Sequence, residues 1–412
     1  MCSSHTKTRV VIPTRAAGEA ALRAFAPRMG KHYKNGRNYD RGTGQHRDVS
    51  MLSPYLRCRL VLEQDAVETA LQFHGAEVAE KFIQEVIWRG YFKGWMEHRP
   101  IIWDQYWEGL IDDLSALECD HDCHRRVEAA ESGETGLDYF DNWAKELVET
   151  GYLHNHARMW FASIWVFTLG LPWRVGADFF YRHLLDGDAA SNTLSWRWVT
   201  GLHTRGKHYC AEAQNITKFT GQRFTPDPTD LANANHGLEA TEPDGLPDVQ
   251  ALRFITPPQT NSPTALLITD EDCRIEDFEL GALDISTVAT LKVAPLRSPR
   301  PVSKHVLRFE DGALADAAQR AGFSPITLQA NSTDMLVKWA ADAGATQIIT
   351  PFVTRGPLND FMDAAKPKLT DLGITLCEWQ RDWDLAIWPH ATAGFFKIKK
   401  KIPSILEQTK MT

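Results

Sequence analysis

Between residues 157 and 168 the apolar side chains Met159, Trp160, Phe161, Ile164, Trp165, Val166 and Phe167 cover almost the whole circumference of a helix, which predicts burial on most sides. Gly170 and Pro172 end that helix, because proline lacks an amide donor and crowds the preceding turn. A second helix over 175–185 carries Phe179, Phe180, Leu184 and Leu185 and runs into Asp186-Gly187-Asp188. Two carboxylates one residue apart in so apolar a setting require cations or donors. Earlier in the chain, Ala21, Leu22, Phe25 and Met29 predict an amphipathic helix over 18–32, entered at Pro13-Thr14. The first ten residues lack periodicity and are expected to fray. A polar, Gly-containing run follows as a loop, residues 78–99 read as a helix, and the polar stretch 113–130 reads as conformationally variable.

Beyond residue 264 the pattern shortens. The runs ALLIT, TVATLKV, HVLRF, PITLQ and TQIITPFV alternate with the helical patterns ALADAAQRAG and DMLVKWAADAG, which argues a parallel sheet with crossover helices. The expected fold is therefore α + α/β: an all-helical domain over 1–225, a Pro-rich linker over 226–263, and a smaller Rossmann-like α/β domain over 264–412. No Gly-x-Gly-x-x-Gly follows a strand, so a dinucleotide fingerprint is lacking there.

Charge and composition sharpen this picture in a few places. The chain of 412 residues carries a net charge of −8, yet its first 60 residues hold twelve Lys or Arg against three Asp or Glu. Such a segment suits a phosphate backbone or a cofactor pyrophosphate, or else forms a solvated helix face. Seven cysteines without regular spacing fit a reducing compartment, and without a signal peptide or membrane-length apolar run the expected location is cytoplasmic. Cys119, His121, Cys123 and His124 are metal-ligand types, but their spacing lacks a second ligand pair, so no metal is expected. The fourteen Trp are the one compositional oddity.

In fixed register, Gly151-Tyr152-x-His154-Asn155-x-x-Arg158-Met159, Trp173-Arg174-x-Gly176-x-x-x-Phe180 and Asp186-Gly187-Asp188-x-x-x-Asn192-x-x-x-Trp196-x-Trp198 resemble the flavin-binding helical domain of the photolyase and cryptochrome family. Tyr33 and Arg37, followed by Ser50-Met51-Leu52-Ser53-Pro54-Tyr55-Leu56, resemble the element that wraps the phosphates of FAD in that family. Glu85-x-x-Trp88-Arg89 resembles its lesion-contacting helix, with Gly90 where the family has Glu. On their own, Trp88 reads as core and Glu85 with Arg89 as a surface ion pair.

The resemblance implies FAD held by Tyr33, Ser50, Met51, Leu52, Ser53, Arg89, Asn155, Arg158, Asp186, Gly187, Asp188 and Asn192, with Asp186 paired to Arg158. It implies a substrate pocket of Glu85, Trp88, Asn155, Met159 and Trp198. It further implies a photoreduction relay whose inner members are Trp196 and Trp173 and whose outer member has no match, with Trp143, Trp160 and Trp165 as stand-ins. Closest in motif are the cyclobutane pyrimidine dimer photolyases. The expected activity is light-driven splitting of such dimers, catalysed through Glu85, Asn192, Trp196 and Trp173 on a base flipped from the stack. The alternative is a cryptochrome-like blue-light receptor signalling to a partner. In most of the family the α/β domain precedes the flavin domain and holds an antenna pigment. Here the order is reversed, which leaves room for a second chromophore of unknown identity. The expected partner is DNA containing pyrimidine dimers, with no membrane and a monomeric protein.

Overall fold

The computed structural model describes residues 11–411, so the expected fraying of the first ten lies outside the described residues. Helices fill its first half: α1 Arg15–Phe25, α2 Lys31–Gly36, α3 Ser53–Arg57, α4 Glu63–Glu97, α5 Ile101–Cys119, α6 His121–Ser132, α7 Asp138–Thr150, α8 Asn155–Ser163, α9 Trp173–His183, α10 Ala189–Val199 and α11 Ala213–Phe219. The helix expected over 157–168 is α8 followed by a single π-helical turn, Ile164–Thr168. Trp160, Phe161, Ile164 and Trp165 are completely buried there, as an all-round apolar helix requires. The helix expected over 78–99 is the second part of α4, which bends at Gly75 where φ is +70°. Residues 113–130 are not variable but helical, because Asp120 caps α6 by accepting from the Cys123 amide while Leu117, Val127 and Ala130 supply a buried stripe.

The second half contains β1 Pro263–Ile268, β2 Asp284–Lys292, β3 Ile326–Gln329, β4 Gln347–Pro351 and β5 Thr375–Trp379, with α12 Lys304–Arg320, α13 Thr333–Asp342 and α14 Pro357–Asp371 between them. All strand pairs are parallel, in the order β3-β2-β1-β4-β5. HVLRF lies in α12 rather than in a strand, since Val306, Phe309, Ala313 and Ala317 make a helical stripe. Side chains alternate across the sheet: Ala265 and Leu267 join the core beneath α13 and α14, whereas Leu266 and Ile268 join the same core as the helical half.

Ion pairs, buried at Arg57 and Arg59 and half-buried at Arg15, join the two halves. Arg57 donates to the Asp270 carbonyl at 2.8 Å and lies 3.2 Å from its carboxylate and 3.3 Å from that of Glu271. Arg59 grips Asp384 at 2.6 and 2.8 Å, and Arg15 reaches Glu276 at 2.8 Å. Three of the basic residues of the opening segment, Arg15, Arg57 and Arg59, are thus paired within the molecule.

After β5 the chain leaves the sheet. Helices α15 Asp382–Ile387, α16 Phe395–Lys399 and α17 Ile402–Gln408 complete it. This segment packs along α4, where Gly90 and Gly94 leave room. A Cβ on Gly90 would stand 3.1 Å from the Ile387 side chain, and one on Gly94 would stand 2.8 Å from the Trp388 ring. The missing glutamate at position 90 is therefore a packing requirement of the C-terminal segment. Among the described residues no helix is long and apolar enough to cross a membrane.

Candidate functional site

The loop between α9 and α10 places two carboxylates at the centre of the helical half. Its path is fixed by the Leu185 amide donating to the Gly151 carbonyl at 2.9 Å, and Gly151 itself ends α7 at φ +69°. A Cβ on Gly151 would lie 2.7 Å from Leu185, so this crossing needs glycine. Asp186 accepts from Arg158 at 3.0 Å, and Arg158 is oriented by its second bond, to the Leu153 carbonyl at 2.8 Å. Asp188 caps α10 through the Ser191 amide at 2.8 Å and faces Lys93 at 3.6 Å and Arg89 at 4.0 Å.

Burial alone would raise both carboxyls. For Asp186 this is outweighed by Arg158, with Ser53 and Arg89 adding to the effect. For Asp188, Lys93, Arg89 and Arg57 outweigh it by more and hold the group well below the usual carboxylate range. Ser53, Arg89, Arg158, Asp186 and Asp188, drawn from four parts of the sequence, thus converge on one ionised cluster. Gly187 and Asn192 belong to it by chain connection. The Asn192 amide nitrogen is tied to the Ala177 carbonyl at 2.8 Å, which fixes the side chain's direction. Leu52 is buried next to Met51, whose φ of +57° turns the chain so that Ser53 opens α3, and Ser50 stands just ahead.

The cluster is not self-satisfied. Arg89 Nη1, Asp186 Oδ1 and Ser191 Oγ are buried without a hydrogen-bond partner. Such atoms are costly unless a polar ligand completes them. A dinucleotide with a flavin ring meets the demand in kind: its imide N–H and ribose hydroxyls need acceptors, and its phosphates and ring carbonyls need donors.

The other expected site residues have these surroundings. Tyr33 packs edge-on to Phe82 at 5.2 Å and to Phe25 at 6.2 Å, with Arg37, Glu85 and Tyr152 beside it. Glu85, one turn from Arg89 on α4, pairs with Arg37 at 2.6 Å, and burial pushes its carboxyl up against the pull of that arginine. Asn155 is exposed at the start of α8, with Met159 half-buried one turn on. Trp198 stacks on Tyr209 at 5.7 Å. Trp88 is covered by Phe395 of α16, ring on ring at 3.8 Å. Trp196 is buried against Gly176, one turn from Trp173, and the stand-ins Trp143 and Trp160 stack on each other.

Sequence reasoning passed over Lys93, Arg57 and Glu271. Lys93 donates to Glu271 at 3.1 Å while facing Asp188, so the sheet contributes a carboxylate to the same network. The available signal was the spacing of Glu85, Arg89 and Lys93, which lines one helix face.

Residues 82–229 match the family described as the FAD binding domain of DNA photolyase. The chain is similar to curated proteins named deoxyribodipyrimidine photo-lyase. That of Streptomyces griseus is 34% identical over 156 residues, 38% of this chain and 33% of the relative. One from Thermus thermophilus is 32% identical over 221 residues, 52% of this chain and 49% of the relative. The chain thus spans between a third and a half of the length of these relatives. Among solved structures, a class III photolyase from Agrobacterium tumefaciens is similar over 51% of this chain and 43% of its own, at 26% identity and a TM-score of 0.41. A Synechocystis cryptochrome is similar over 54% and 46%, at 23% identity and a TM-score of 0.43. Over residues 82–229 the helical half is thus similar to a flavin-binding domain, that of DNA photolyase, and the cluster at Asp186 and Asp188 provides acceptors and donors of the kind FAD requires.

Proposed function

We propose that this protein repairs DNA in the light by splitting cyclobutane pyrimidine dimers, with FAD as its bound cofactor. Reduced FAD supplies light-driven transfer of one electron, and the protein supplies position, charge and exclusion of water. Asp188 stays ionised as an acceptor, and the Arg158–Asp186 pair holds a fixed donor beside it. Glu85, whose carboxyl burial pushes up against the pull of its partner Arg37, offers an acceptor to a base N–H. Met159 and Trp198 offer apolar faces to a flipped lesion, Trp88 does so where a base displaces Phe395, and Asn155 offers an amide to a base edge. The observation that carries the reading is the cluster of Ser53, Arg89, Arg158, Asp186 and Asp188 with its three unmatched polar atoms, its Arg89 next to Trp88 and one helical turn from Glu85. Illuminating the reduced protein with dimer-containing single- and double-stranded DNA and counting restored pyrimidines tests it. Restoration that stops in the dark supports repair, and none in the light on either strand form rejects it.

One observation favours a second reading, a blue-light receptor of the cryptochrome kind. Phe395 occupies a face of Trp88 that a base would use, so the C-terminal segment is placed to respond to the flavin site. Under this reading light alters the protease sensitivity of that segment, and no pyrimidines are restored.

A further inference from the structure

The sheet order β3-β2-β1-β4-β5 reverses between β1 and β4, and parallel sheets commonly bind ligands outside the strand ends at such a reversal. Here the helical half reaches into that place. Arg57 donates through Nε to the Gly187 carbonyl at 2.7 Å and through Nη1 to the Asp270 carbonyl at 2.8 Å. Arg297, which follows β2, donates to the Leu184 carbonyl at 3.2 Å. Gly356, which follows β4, lies so close that a Cβ on it would stand 2.8 Å from the Ala189 Cβ. The loop carrying Asp186 and Asp188 therefore rests against the α/β half at its start, middle and end.

Glu271, which follows β1, extends this contact to the carboxylates themselves. Its Oε2 accepts from Lys93 at 3.1 Å and from the Thr354 hydroxyl at 2.9 Å, and its Oε1 lies 3.3 Å from Arg57. Burial would raise its carboxyl, but Lys93 and Arg57 outweigh burial and keep it ionised. The Lys93 ammonium is buried between Glu271 and Asp188 and needs a carboxylate as its acceptor. Glu271 is the one that takes it. Oδ2 of Asp188 stands 3.6 Å from Lys93 and 4.0 Å from Arg89, beyond hydrogen-bond length of both, while its Oδ1 takes the Ser191 amide. One oxygen of Asp188 thus faces two cations and still stands free to accept a hydrogen bond.

On the reading that Asp188 holds FAD, we infer that Glu271 is a positioning residue of the flavin site, contributed by the α/β half: it draws the Lys93 ammonium back so that Oδ2 of Asp188 stays open to the flavin imide N–H. The same pair sets the charge beside the bound ring, because Glu271 cancels the charge of Lys93. Without Glu271, Lys93 closes on Asp188, occupies the open oxygen and leaves one positive charge uncancelled. The α/β half then serves as one wall of the flavin site.

FAD titration and redox titration of the full chain test this together. Glu271→Gln keeps the size of the side chain and is expected to weaken FAD binding about tenfold. Reduced flavin carries a negative charge, so the same variant favours the reduced form about tenfold, or about 30 mV for a two-electron couple. Lys93→Met moves the potential the other way. Combining Glu271→Gln with Lys93→Met removes the pair as a whole, which a folded interior tolerates better than half a pair. This double variant is expected to regain FAD affinity to within about threefold of the unmodified protein, and its potential returns as well. A residue that only supports the fold would give losses that add in the double variant. Double-variant affinity no better than that of Glu271→Gln, or a Glu271→Gln potential equal to the unmodified one, overturns the assignment. An unmodified protein that takes up no FAD fails the reading at Asp188 and takes the role of Glu271 with it.

Discussion

Phe395 lies flat on Trp88, with ring centroids 3.8 Å apart and planes within 10° of each other. The contact joins α16 to the helix that also carries Glu85 and Arg89, and Lys399 anchors the same segment to Glu80 at 3.1 Å. A flipped base and Phe395 compete for one aromatic face. Phe395→Leu keeps an apolar side chain but removes the stack, at a cost of about 1 kcal/mol in stability. Under the repair reading its affinity for dimer-containing DNA rises about fivefold in a binding titration. A lower affinity would mean that Phe395 helps to build the pocket.

Glu97 gives the fold a pH dependence. Buried beneath the Arg355 amide, which donates at 2.6 Å, its carboxyl is raised by burial from an ordinary 4.5 to about 7. The folded state therefore holds the proton longer than the unfolded state. The resulting stabilisation is complete below 4.5 and lost as pH rises through about 7. It amounts to about 3 kcal/mol at most. Thermal melts should show Glu97→Gln losing less stability than the unmodified protein across that window. Parallel pH profiles for the two proteins would contradict this.

Gly94 sets how closely the C-terminal segment approaches α4. Alanine there gains about 1 kcal/mol of helix propensity. Its Cβ would also meet the Trp388 ring at 2.8 Å and the Trp388 Cα at 2.9 Å, and backbone does not yield. Gly94→Ala is expected to destabilise by about 1–3 kcal/mol in denaturant titration. A neutral or stabilising result would show that the segment is loosely seated.

Trp196→Phe and Glu85→Ala separate two roles. If FAD is photoreduced through Trp196, the first abolishes photoreduction while FAD stays bound. The second should lower repair more than DNA binding. Equal losses in both measurements would make Glu85 only a docking residue.

How much of this was legible in the sequence depended on whether the information was local. The buried helix around Trp160, the paired carboxylates and the strands of ALLIT and TQIITPFV all announce themselves through nearest-neighbour periodicity. HVLRF misleads because a short apolar run has the same pattern in a strand and in a buried helix, and only Ala313 and Ala317 further on decide it. The strand TLCEW was passed over for a related reason, since its five residues form an edge paired only to β4. Tyr33 matched a motif, yet its placement depends on Phe25 and Phe82, which no spacing rule connects to it. Glu271 and Phe395 were beyond sequence reasoning, because each reaches the helical half from 178 residues or more away in the chain. Gly90 was visible as a departure, and only the position of Ile387 explains it.

The central claim is that Asp186 and Asp188, with Arg158, Arg89 and Ser53, hold FAD. Titrating FAD into flavin-free protein and into Asp188→Asn, and following the visible absorbance of the bound fraction, tests this most directly. The account predicts one FAD per chain for the unmodified protein. It predicts little or none for Asp188→Asn, which leaves Lys93 and Arg89 facing a neutral amide. A protein that stays colourless under FAD, or an Asp188→Asn variant that binds it equally well, would contradict the account.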